Sequence, residues 1–143
     1  MLTIDASVLA AASLRDEPAH AASAEALRLI MASGLEVHQP AIAIAEVTAA
    51  AARRTGDGAF ARRVGQLALA MPGLTVHGLD AVAALRAATL ASDLRLRAAD
   101  AVYVATALAA GSVLITLDHE VVDRAASVVR ALTPMDWLAL QET

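Results

Sequence analysis

At 143 residues the chain has the length of one ordinary domain with room for a real core, and it contains no cysteine, which excludes disulfide frameworks and thiolate-zinc scaffolds. A net charge of −4 and a pI near 5.4 exclude a broadly basic nucleic-acid binder, so any such role must come from a local site. Hydrophobic residues make up 58% of the chain but aromatics only 2%, so the core must be built from Ala, Val, Leu and Ile.

Residues 1–4 form a short apolar run ending at Asp5 and read as a buried first strand. Residues 7–13 are an apolar turn or short helix, and 15–18 a polar loop. Residues 20–33 carry Ala24, Leu27, Ile30 and Met31 at helical spacing, with Gly34 as the stop. A second strand is expected over 35–38, then a helix from Pro40 through Arg54. Thr55-Gly56-Asp57-Gly58 breaks the chain, and a helix over 59–70 runs to Pro72-Gly73. A third strand follows over 74–77, then a helix over 80–92 with Asp80 placed as its N-cap.

Residues 94–98 connect to a helix that opens at Ala99 or Asp100 and ends at Ala110, where Gly111 stops it. Residues 113–117 are the most strand-like segment; a short helix over 119–124 and a last strand over 127–132 follow, and Thr133 caps a final helical turn. Strands alternating with helices specify an α/β fold: a three-layer sandwich with a central, mostly parallel twisted sheet of four to five strands flanked by helices, in a single domain over 1–143. The longest charge-free run, 101–117, contains Thr106, Gly111, Ser112 and Thr116 and is shorter than the roughly 20 apolar residues of a membrane span. No signal peptide is expected, and the absence of cysteine fits a reducing cytoplasm.

In open α/β sheets, ligands bind at the carboxyl ends of the strands. Asp5 directly follows the first strand and Asp118 follows the strand over 113–117. Asp100 stands at the start of an apolar helix, and Glu46 is the lone acid of another. Each has a plain explanation. Asp100 reads equally as a helix cap, Asp118 as a turn residue, and Glu46 as a solvated side chain. Asp5 is hardest to dismiss, because an acid beside a buried strand is costly unless paired. Convergence of the four would need protonation or a cation to relieve repulsion, and hard divalent ions with oxygen ligands are the natural relief.

In order and surroundings these residues resemble the PIN-domain family, especially its VapC-like toxin members. The matching segments are Ile4-Asp5-Ala6-Ser7-Val8, Ala45-Glu46-Val47, residues 99–105 from Ala99-Asp100-Ala101 to Val104-Ala105, and Leu114-Ile115-Thr116-Leu117-Asp118. The resemblance covers nearly the whole chain. It implies a metal-dependent endoribonuclease using Mg2+ or Mn2+, with Asp5, Glu46, Asp100 and Asp118 as metal-holding catalytic acids. It also implies an RNA substrate, a cognate antitoxin that wraps and inhibits the domain, and a homodimer. Ser7 and Thr116 match hydroxyl positions that orient the acids in the family, although Thr116 also reads as an ordinary β-branched strand residue. The polar residue often found before the helical Glu is here Ala45. Glu120 and Asp123 lie where some members carry a further acid, and a solvated short helix explains them equally well.

All 11 basic residues are arginine, which suits phosphate contacts and is also what an alanine-rich composition produces. Arg95 and Arg97, leading into Asp100, are the foremost candidate RNA contacts. Arg53-Arg54 and Arg62-Arg63 are the others, each pair equally an ordinary solvated helix face. Phe60, Tyr103 and Trp137 form no stacking platform, and His20, His38, His77 and His119 show no metal-ligand spacing. Neither GxGxxG nor GxxxxGK occurs. Ser7 stands where a haloacid-dehalogenase pattern wants a second Asp, and a receiver domain wants a lysine that this chain lacks. The remaining alternative is a PIN-like module that binds RNA or protein without cleaving.

Overall fold

Five short strands make the sheet, and helices cover its centre. In β1 (Leu2–Ile4) every residue is buried. The computed structural model describes residues 1–142. The other strands are β2 (Val37–Pro40), β3 (Leu74–His77), β4 (Val113–Ile115) and β5 (Ala131–Leu132), in the order β3-β2-β1-β4-β5. All neighbours pair in parallel.

The helices are α1 (Ala6–Ser13), α2 (His20–Ser33), α3 (Ile42–Thr55), α4 (Gly58–Leu69), α5 (Ala81–Leu94), α6 (Ala98–Ala110), α7 (His119–Ala125) and α8 (Pro134–Ala139). The chain steps from β1 to β2 to β3 in one direction, then crosses back to β4 and on to β5. Right-handed crossovers therefore place α1 to α4 on one face and α5 to α7 on the other. The packing agrees: α1 meets α2 and α3, and α3 meets α4. On the other side α6 lies on β1, β2 and β4 with α5 against it. The topological switch falls between β1 and β4, where an open sheet of this kind has its crevice. The expected α/β sandwich with a parallel sheet is the observed one.

Several boundaries differ from the sequence-based expectation. The second strand runs over Val37–Pro40 and not 35–38, and its helix starts at Ile42 and not at Pro40. Pro40 has no N–H, and it sits past the end of the β1 pairing, opposite His77 of β3. β4 stops at Ile115 because the N–H of Leu117 is taken by the Ser7 hydroxyl at 3.3 Å. The last strand shrinks from 127–132 to Ala131–Leu132 because Val128 and Val129 both donate back to the Ala125 carbonyl and close a turn. The seventh helix ends at Ala125, and α6 opens at Ala98 with Arg97 as N-cap, so Asp100 lies in the first turn and does not cap.

The core is aliphatic, as the composition requires, with Tyr103 and Trp137 the large aromatic exceptions. Small residues let the helices approach closely. At Gly65, on α4, a Cβ would come within 2.1 Å of Thr48 Oγ1 on α3. That hydroxyl donates to the Ile44 carbonyl at 2.8 Å. Gly65→Ala should therefore lower the melting temperature, overpacking of this kind costing about 1–3 kcal/mol. Adding Thr48→Ala should restore stability to wild type or above, because alanine in a helix outperforms glycine. Thermal denaturation of the single and double variants checks this, and an unchanged single variant would contradict the close approach.

Candidate active site

The strand register builds the centre of the site. Ile4 is paired with Ile115, so the next residues, Asp5 and Thr116, leave the sheet side by side. The Asp5 backbone N–H donates to the Ile115 carbonyl at 2.9 Å. Its side chain caps α1 and accepts from the Ser7 N–H at 3.3 Å through Oδ1. Oδ2 accepts from the Ser7 hydroxyl at 3.0 Å and from the Thr116 hydroxyl at 2.6 Å. Thr116, fully buried, then accepts from the Asp118 N–H at 3.1 Å. One hydroxyl thus ties the end of β1 to the end of β4.

Asp118 caps α7: its Oδ1 accepts from the N–H groups of Glu120 and Val121 at 2.9 and 3.4 Å. Its Oδ2 accepts from Arg97 Nη2 at 2.7 Å. The same guanidinium donates through Nε to Asp100 Oδ2 at 2.9 Å. Arg97 therefore spans Asp100 and Asp118. On α3, Glu46 accepts from the Tyr103 hydroxyl at 2.6 Å, and that hydroxyl also accepts from the Ala6 N–H at 3.3 Å. Asp100 and Tyr103 stand one turn apart on α6.

The electrostatics follow from this crowding. Burial pushes the Asp5 carboxyl above its ordinary pKa; its bonds from Thr116 and Ser7 oppose the shift, and the charge of Asp100 adds to it. Glu46 is also raised, first by burial and further by the charges of Asp5 and Asp100, against the bond from Tyr103. Tyr103 is pushed far up by burial and by its bond to Glu46, so it stays a donor. Asp5, Glu46 and Asp100 thus share one electrostatic neighbourhood. Asp118 joins it through Thr116 and Arg97.

The donor set is all oxygen, which fits a hard cation. Among the described residues, however, no group of three or more His, Asp or Glu side chains could hold a metal ion as the side chains stand. The positive charge at the cluster comes from Arg97, held by Asp100 and felt by Asp118 and Glu120.

Other candidate residues lie as follows. The Arg95 side chain is exposed; its carbonyl accepts from Arg124, and its backbone is left-handed, at φ 55°. Arg97, read from the sequence as an RNA contact, is engaged with the acids. Glu120 pairs with Arg124, while Asp123 is exposed. Arg54 pairs with Asp16 and Glu17. Sequence reasoning missed Tyr103 as a partner of Glu46. The available signal was a lone tyrosine one turn beyond Asp100 in a helix otherwise of small apolar residues.

A PIN-domain family profile matches residues 2–127. No curated protein matches the sequence. Among solved structures, the chain is similar to VapC20 of Mycobacterium tuberculosis, described as a sarcin-ricin loop cleaving toxin. That match has a TM-score of 0.71 and 18% identity, covering 89% of this chain and 95% of that one. FitAcB of Neisseria gonorrhoeae gives 0.72 and 22%, covering 94% and 99%. A toxin–antitoxin complex from Klebsiella pneumoniae gives 0.66 and 20%, covering 94% and 98%. At these identities the likeness is one of fold.

Two outcomes test the geometry. Tyr103→Phe leaves Glu46 without its donor and the Ala6 N–H without its acceptor, so stability should fall by about 1–3 kcal/mol in a denaturant titration. For pH, a carboxyl raised in the folded state contributes stability below its unfolded pKa that is lost as pH rises through the folded value. In chelator, the contribution of Asp5 and Glu46 to stability should therefore decline as pH climbs above about 4. Asp5→Asn should flatten that decline and melt higher than wild type at pH 8; a lower melting point there would contradict the buried-charge account.

Proposed function

The chain belongs to the PIN-domain family, and on that premise we propose that it is a metal-dependent endoribonuclease, the toxin of a toxin–antitoxin pair. The observation that carries the reading is the pairing across the switch point. Thr116 joins Asp5 to Asp118, while Asp100 and Glu46 bring further negative charge to Asp5 from two other helices. The charge of Asp100 raises the cost of ionising Asp5, and the charges of Asp5 and Asp100 together raise that of Glu46.

In this reading Asp5, Asp100 and Asp118, with Glu46, would hold Mg2+ or Mn2+. When bound, the ion supplies charge neutralisation at a phosphodiester and a water of lowered pKa. The chain's own residues prepare that site. Ser7 and Thr116 fix the rotamer of Asp5 with three hydrogen bonds, counting the Ser7 N–H. Tyr103 fixes Glu46. The two free N–H groups at the start of α7 fix Asp118. Arg95, exposed beside the cluster, is the proposed contact to the RNA backbone away from the cut.

Partner proposals rest on the neighbours and on exposed apolar surface. The Klebsiella structure is a toxin–antitoxin complex, and an antitoxin is the expected inhibitor here. α5 buries only Ala87 although it is rich in Ala, Val and Leu, and Leu85 is 70% exposed. That face suits the homodimer. Among the described residues no helix is long and apolar enough to cross a membrane, and the proposed place of action is the cytoplasm.

The assay is direct. The purified chain with Mg2+ or Mn2+ should cut a structured RNA, chelator should stop it, and Asp5→Asn and Asp100→Asn should each reduce the rate by at least about a hundredfold. Cleavage that survives both substitutions overturns the site. RNA binding without cleavage would favour the non-catalytic module.

A further inference from the structure

The acids already have a cation. Arg97 lies 21 residues before Asp118 and three before Asp100, and it binds both. Its guanidinium stands outside the pocket it neutralises: the side chain is 76% exposed, against 14% for Asp100 and 26% for Asp118. Which oxygens it holds matters. Asp118 spends Oδ1 on capping α7, so Oδ2 is the oxygen left over, and Arg97 occupies it. On Asp100 it also takes one oxygen, Oδ2.

The base of this arm is fixed. Leu96 is buried, and the Arg97 carbonyl accepts from Ala101 at 3.0 Å to open α6. One residue earlier, Arg95 takes a left-handed conformation that ends α5, and its carbonyl is gripped by Arg124 from α7. The backbone thus delivers Arg97 to the gap between α6 and α7, while the exposed side chain can leave at little cost.

We propose that Arg97 is the resident counter-cation of the acidic pocket, and that a divalent ion binds by displacing its guanidinium from Asp118 and Asp100. The inference rests on the reading of these acids as a metal site. Arg97 acts as a positioning residue. It holds α6 and α7 together at the pocket when no metal is bound, and competes with the metal for Asp118 Oδ2. A second cation cannot share that oxygen with a guanidinium without repulsion at contact distance.

The test is Mn2+ binding to the metal-free protein, followed by calorimetry or by the spin resonance of free Mn2+. Arg97→Ala should bind Mn2+ roughly threefold to tenfold tighter than wild type, because the competitor for Asp118 Oδ2 and Asp100 Oδ2 is gone. Arg97→Lys, a point charge that cannot bridge two carboxylates, should fall between. Arg86→Ala, which makes the same change in net charge at an exposed position of α5, should stay within about twofold of wild type. Melting gives a second readout: in chelator Arg97→Ala should melt below wild type, and Mn2+ should raise its melting point by more. Equal or weaker Mn2+ binding by Arg97→Ala overturns this proposal and leaves the metal-site reading standing, as does an Arg86→Ala that gains as much. Absence of Mn2+ binding in every variant overturns both.

Discussion

The hydrogen bond from Thr116 to Asp5, 2.6 Å long, is where the sheet and the site become one structure. Asp5 follows a wholly buried strand, so its charge sits where water solvates it poorly. Thr116 and Ser7 offset part of that cost, and they are present only because β1 and β4 pair in the observed register. A slip of one residue between these strands would turn the Thr116 side chain to the other face and leave Asp5 without its shortest bond. The acid therefore depends on correct strand pairing, and the pairing in turn must tolerate an acid at its end.

The helix α6 extends this constraint to the rest of the pocket. It lies across β1, β2 and β4, and so is held by the same strands that position Asp5. From its first turn it delivers Asp100, and one turn later Tyr103, whose hydroxyl reaches both Glu46 on α3 and the Ala6 N–H of α1. Since α3 and α6 belong to opposite layers, Tyr103 connects the two layers past the end of the sheet. A burial of 98% explains why it is an aromatic and not a longer polar chain that does so: the ring fills core space while its hydroxyl bonds at the far end.

Much of this was legible in the residues. Strong local signals gave accurate elements: His20–Ser33 stopped by Gly34, Leu74–His77, and the caps Asp80 and Thr133 all lie where propensity and capping chemistry put them. Boundaries failed where a distant partner decides them. Leu117 has the side chain of a strand residue but bonds Ser7, and Val128 and Val129, β-branched as they are, close a turn on Ala125. In the site, strand-end aspartates announced themselves. Glu46 read equally well as a solvated side chain and Asp100 as a helix cap, and only the family resemblance grouped them with the strand-end acids; Tyr103 was hidden because a buried tyrosine in an apolar helix looks like core. Arg97 was visible as a charge near Asp100 and a candidate phosphate contact, but its bond to Asp118 was not, because only the fold brings that acid alongside.

That bond bears on how an acidic protein would meet the RNA proposed for it. One guanidinium against four carboxylates leaves the pocket negative, and RNA would be repelled from it. Protonation of Asp5 or Glu46 lowers the repulsion, which is the direction in which burial already pushes both groups. It would also remove the charges a metal requires. On the proposed metal-site reading, a divalent ion would resolve the conflict better than Arg97 can, because it carries twice the charge in a smaller volume and accepts several carboxylate oxygens at once. Arg97 reaches only two of the acids, from outside. Arg97 thus holds Asp100 and Asp118 from outside, while Asp5 and Glu46 are left to burial and to the hydroxyls of Ser7, Thr116 and Tyr103.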